Sequence, residues 1–131
     1  MSNITSPNLD RLAAQHAQAI ISRTTDKKAK ASEVDNTVTK ALGVLQENGV
    51  YACFLYLLAK EGKNGAVVVA EMLDLLDGLG FGWGKPTGNS LEEVLSYISE
   101  KVTVDLERLL LAKETLEQML IYARYGAKAR G

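Results

Sequence analysis

The chain has 131 residues and a formal net charge of −1, which suits a single domain with a modest core and excludes a globally basic nucleic-acid binder. Two prolines in a composition rich in Ala, Leu, Glu and Lys favour helix over sheet. One cysteine, Cys53, allows no internal disulfide and suits a reducing, cytoplasmic setting.

The N-terminal stretch MSNITSPNLDR lacks the apolar centre of a secretory leader. The longest apolar run, Val50 to Ala59, would be about 15 Å long as a helix against about 30 Å of bilayer hydrocarbon, so no membrane span is expected. The first helix is expected from about Asn8 to Arg23. Ser6 or Asn8 would cap it, and Pro7 suits a first turn. Leu9, Leu12, Ala13, His16 and Ile20 share one face. His16, the only histidine, reads as a packed ring on that face, because zinc needs three or four ligands and no partner set accompanies it.

Residues 24–32 (TTDKKAKAS) read as a polar linker or loose helix end. A second helix follows over about Glu33 to Glu47, with Ser32 and Asp35 spaced like a capping box. Val34, Val38, Ala41, Leu42 and Leu45 line its buried side, and Asn48-Gly49 makes a tight turn. The third helix, VYACFLYLLAK, is apolar on every side, which suits the middle of a bundle or a subunit contact; Gly62 stops it. A fourth helix is expected from Asn64 to Asp77. Its β-branched start, Val67 to Val69, also suits a strand, but Val69, Met72, Leu73 and Leu76 continue at helical spacing.

Residues 78–89 (GLGFGWGKPTGN) hold five glycines. They fail the phosphate-loop pattern, since Leu79 stands where its first glycine belongs and Pro86 follows the lysine. They also fail the dinucleotide fingerprint, since no strand precedes them. Two readings remain: a loop with Phe81 and Trp83 tucked onto the bundle, or a mobile contact loop with an aromatic free to stack. Ser90 and Glu93 form a capping box for a fifth helix from Leu91 to Lys101. The last helix spans 103–127, with Thr103 as its expected N-cap. Leu106, Leu109, Leu110, Leu116, Leu120, Ala123 and Ala127 form its apolar stripe, and Leu111, Met119 and Ile121 widen it. Shorter helices should wrap this one. The expected architecture is all-α, a compact bundle of about six helices with a long C-terminal helix, in one domain over residues 1–131.

No catalytic set emerges: one histidine offers little to acid–base work, Lys85 sits in a loop, and Cys53 lies in an apolar run where a thiolate is disfavoured. Neither a metal nor a cofactor is implied, and the paired acids Asp74/Asp77 and Glu92/Glu93 read as solvated. Charge is nevertheless unevenly distributed. Arg23, Lys27, Lys28 and Lys30 cluster with one acid, and Arg124, Lys128 and Arg130 cluster with none. From Glu61 to Glu100, seven acids outnumber the bases. A folded bundle could therefore carry a basic face along a phosphate backbone and an acidic face toward the next copy.

Three blocks carry a resemblance: LDRLAAQHAQAI, NGVYACFLYLLAK and ERLLLAKETLEQMLIYARYGAKA. Together they resemble the small helical subunit of type III-B CRISPR RNA-guided effectors, the Cmr small-subunit family; the small subunit of type III-A complexes is the next most similar. Tyr122, Arg124 and Tyr125 match the family's closing aromatic, base and aromatic. Arg11 alone represents the basic group of the family's first helix, and His16 takes its aromatic place. The resemblance implies a non-enzymatic subunit of an antiviral complex, stacking head to tail with copies of itself. Its other partners would be the backbone and large subunits, the guide RNA and the target RNA. Contacts to the RNA backbone are expected from Arg23, Lys27, Lys28, Lys30, Arg124, Lys128 and Arg130, with Arg11 and Lys40 further out. The alternative is a helical protein–protein adaptor without an RNA role, using the third helix or the Trp83 loop.

Overall fold

The computed structural model describes residues 8–60 and 62–131. Six α-helices account for most of these residues: α1 (Leu9–Asp26), α2 (Ala31–Asn48), α3 (Val50–Lys60), α4 (Gly62–Gly78), α5 (Leu91–Tyr97) and α6 (Leu106–Arg130). No strand occurs among them, and the Val67–Val69 run is helical and buried within α4. Burial on a helical repeat has overridden local β preference there.

The helix starts are only partly those expected. Asn8 does cap α1, its side chain accepting from the Arg11 N–H at 3.0 Å; Ser6 and Pro7 lie outside the described residues. The Ser90–Glu93 capping box is present, and the Ser90 and Thr87 hydroxyls that bond Glu93 hold its carboxyl below the ordinary range. Two expected caps are displaced. The N-cap of α2 is Lys30, without a side-chain hydrogen bond, so Ser32 and Asp35 fall inside the helix. The cap of α6 is Asp105, accepting from the Arg108 N–H at 3.2 Å, rather than Thr103. Thr103 instead closes a π turn over Ile98–Val102, its N–H reaching Ile98 O at 3.1 Å. That wider turn lets α5 run on while burying Tyr97, Ile98 and Val102.

Side-chain meetings set the helix directions. Tyr122 donates its hydroxyl to Asp10, and Arg130 donates to Thr25 at 3.0 Å, so α1 and α6 run the same way. Arg124 meets Asp35 while Gly131 lies against Ala31, so α2 runs against α6. Glu71 meets His16 and Arg23, and Leu12 packs on Gly78, so α4 runs against α1. The core forms between these elements from Ile20, Leu45, Phe54, Met72, Leu76, Leu116, Met119 and Leu120, all essentially inaccessible.

Two expected faces are corrected. Leu106 and Leu110 are 67% and 50% exposed, while Leu109 between them packs against the core, so they lie on the side of α6 turned away from it. The third helix does not lie in the middle of the bundle. It buries Val50, Cys53, Phe54 and Leu57 and leaves Tyr51 and Leu55 42% and 41% exposed. Cys53 is buried, as its position suggested: burial pushes its thiol up to about 12, which disfavours the thiolate, and Sγ donates to Ala41 O at 3.4 Å.

The glycine-rich segment is tucked in. Trp83 is 8% exposed and meets Phe81 edge to face at 5.0 Å, while the Arg108 guanidinium covers Phe81 at 5.1 Å. Gly80, Gly82 and Gly84 all take positive φ, which lets the chain fold back sharply enough to bury Trp83. Tyr97 donates to Gly84 O at 2.8 Å, and burial raises its hydroxyl to about 12. A freely stacking aromatic at this loop is thereby ruled out. No helix among the described residues is long and apolar enough to cross a membrane.

Candidate nucleic-acid interface

The parallel course of α1 and α6 brings the two basic segments, about a hundred residues apart in sequence, to one end of the bundle. Their junction is built from the turn between α1 and α2. Residues 24–32 form neither a linker nor a loose end: α1 continues to Asp26 and closes in a tight hydrogen-bonded turn. Ala29 N–H bonds Thr24 O at 3.0 Å and Lys28 N–H bonds Thr25 O at 2.9 Å, the Schellman pattern. The residue at its left-handed position is Lys28, with φ +61°, where glycine is usual. Arg130 then latches α6 onto this turn, donating to Thr25 Oγ1 and to the Ala29 carbonyl.

The cations at this end divide into two groups. Arg23 is committed: its guanidinium reaches Glu71 Oε2 at 2.7 Å, and His16 Nδ1 meets Glu71 Oε1 at 2.8 Å. Glu71 is 5% exposed, so this trio clasps α1 to α4. Arg130 is used by the latch. Arg124 and Lys128 share Asp35, at 3.9 and 3.5 Å. Arg124 Nε is buried and has no hydrogen-bond partner among the described residues, so that arginine is only half satisfied. Lys27, Lys28 and Lys30 are exposed and form no ion pair among the described residues.

Lys63 joins them, a residue the sequence reading missed. It lies in the first turn of α4 and lines a hollow of about 290 Å³ with Lys27, Ala29, Glu33 and Asn64. No pattern in the sequence marks Lys63, because its place depends on α4 running against α1. Two helices, α2 and α4, also begin at this end and turn their positive dipole ends toward it.

Two expected contacts lie elsewhere. Arg11 sits in the first turn of α1, about 24 Å along the axis from Lys27, at the opposite end of the bundle. Lys40 is about 15 Å into α2 from Lys30, exposed on its flank. The far end collects acids instead: Asp10 at the start of α1, Asp77 near the end of α4, and Asp105 and Glu107 at the start of α6. Asp74 there is held by Lys85 at 2.5 Å, and that hydrogen bond keeps the lysine firmly protonated. The far end is therefore the more acidic of the two, although Arg11 and Lys85 also lie there, and it adds exposed Val104, Leu106 and Leu110. Chemically, the basic end can hold phosphates without reading bases.

Compared with known proteins, the chain matches no family model and no curated sequence.

Proposed function

We propose that this protein is a non-catalytic RNA-binding subunit of the Cmr small-subunit kind. In this reading its basic end lies on the backbone of guide and target RNA in a type III-B CRISPR effector. The observation that supports it is the convergence of Lys27, Lys28 and Lys30 with Lys128 and Lys63 at one end, held together by the Arg130 latch. Lys27, Lys28 and Lys30, which form no ion pair among the described residues, suit sequence-independent phosphate contacts, and RNA-guided systems leave sequence reading to base pairing. The acidic, partly apolar far end suits head-to-tail stacking against the basic end of another copy, with the backbone and large subunits as neighbours.

The test is RNA binding by the purified chain across a salt series. Lys27→Glu with Lys28→Glu should weaken binding and reduce the slope of log K against log salt by roughly 0.7 per lost phosphate contact. An unchanged affinity and slope would remove the basic end as an RNA surface. A pull-down from native cells then decides the assembly. Guide RNA with CRISPR backbone subunits supports the proposal. Proteins without RNA favour the adaptor alternative, for which the exposed Tyr51 and Leu55 of α3 offer a partner surface.

A further inference from the structure

A groove of about 520 Å³ lies between α1 and α6. Small residues create it. Ala14 and Ala17 on α1 and Gly126 on α6 line it, and a Cβ at Gly126 would lie 2.9 Å from Ile21 Cγ1, so the two helices pack closely there. Tyr122 forms one wall. Its hydroxyl donates to Asp10, which fixes the ring and holds the hydroxyl protonated. Gln18 and Ser22 supply polar groups at the rim.

These features match a flat ring with a polar edge. Alanine, isoleucine and an oriented tyrosine ring accept an aromatic face, while the Gln18 amide carries both a donor and an acceptor for a base edge. The groove also leads to charge. One helical turn beyond Gly126 comes Arg130, and one turn beyond Ser22 the chain reaches Asp26, Lys27 and Lys28. We propose that this groove takes an unstacked base of single-stranded RNA, whose neighbouring phosphates rest on Lys27 and Lys28. This rests on the RNA-backbone reading above and adds to it a preference for single strands, since a duplex keeps its bases stacked and paired.

The experiment uses the full chain with a fluorescently labelled oligouridylate, alone and annealed to its complement. Ala14→Leu fills the groove from the solvent side, and Gln18→Ala removes the edge contact on an exposed position. Ala14→Leu should lower single-strand affinity by about tenfold, the scale of one stacked base, and leave the duplex and the salt slope unchanged. Gln18→Ala should lower it by a few fold. With 4-thiouridine in the strand, photocrosslinks should fall on the peptides bearing Gln18 and Tyr122. Wild-type single-strand affinity in both variants, beside weakened binding in the Lys27/Lys28 double variant, would overturn the groove while the phosphate reading stands. No effect in any variant would overturn both. An equal loss of duplex binding in Ala14→Leu, or crosslinks confined to other helices, would also overturn the groove.

Discussion

Arg23 and Lys28 sit five residues apart in one basic cluster, yet the fold gives them different work. Arg23 neutralises Glu71, a carboxylate that burial would otherwise penalise heavily. Arg23→Ala leaves that carboxylate with His16 alone, so unfolding by urea should show a loss of about 2 kcal/mol; a change under about 0.5 kcal/mol would mean the clasp is not structural. Lys28 does the reverse. Its left-handed backbone carries strain of about 1 kcal/mol that glycine would relieve. Lys28→Gly should therefore raise stability by roughly 0.5–1 kcal/mol while weakening RNA binding, a combination that ordinary surface lysines do not show. A variant less stable than wild type would contradict the strain argument. Sequence clustering alone cannot separate these two residues, since the partner of Arg23 lies 48 positions away.

At the scale of elements, two helical glycines have opposite roles. Gly43, in the middle of α2, has open space where a Cβ would go. Gly43→Ala should stabilise by about 1 kcal/mol through helix propensity alone. Gly126 gains the same propensity on substitution, but the new Cβ meets Ile21 at 2.9 Å. Overpacking costs typically about 1–3 kcal/mol, so Gly126→Ala should be a net loss of roughly 1 kcal/mol. Thermal melting of the pair checks both signs, and equal gains would show that α1 can shift away from α6 freely. Most helices were legible from apolar spacing, because burial on one side repeats every three to four residues. The misread parts have local causes. The turn after α1 looked like a linker because its closing residue is lysine rather than glycine. The start of α6 looked buried because Leu106 and Leu110 flank Leu109, which alone of the three packs against the core.

For the whole molecule, one end is the more acidic of the two. If that polarity drives stacking, copies should associate more weakly as salt rises. Asp105→Lys with Glu107→Lys should reduce self-association in sedimentation experiments, and mixing that variant with the Lys27→Glu/Lys28→Glu protein should restore pairing between unlike ends. Association indifferent to all three changes would assign the acidic end to a different partner.

Composition and apolar spacing determined by themselves that this chain is all-helical, with a long last helix and a buried cysteine. Those properties depend on neighbours within a turn or two, and each helix carries its own record of what it buries. The basic end was legible only as two separate clusters. Their union, the recruitment of Lys63, the withdrawal of Arg23 into the Glu71 clasp and the distance of Arg11 were decided by the tertiary structure. The reason is directional: helices of similar length can pack parallel or antiparallel with the same apolar stripe. Only the parallel pairing of α1 and α6 puts both basic termini together.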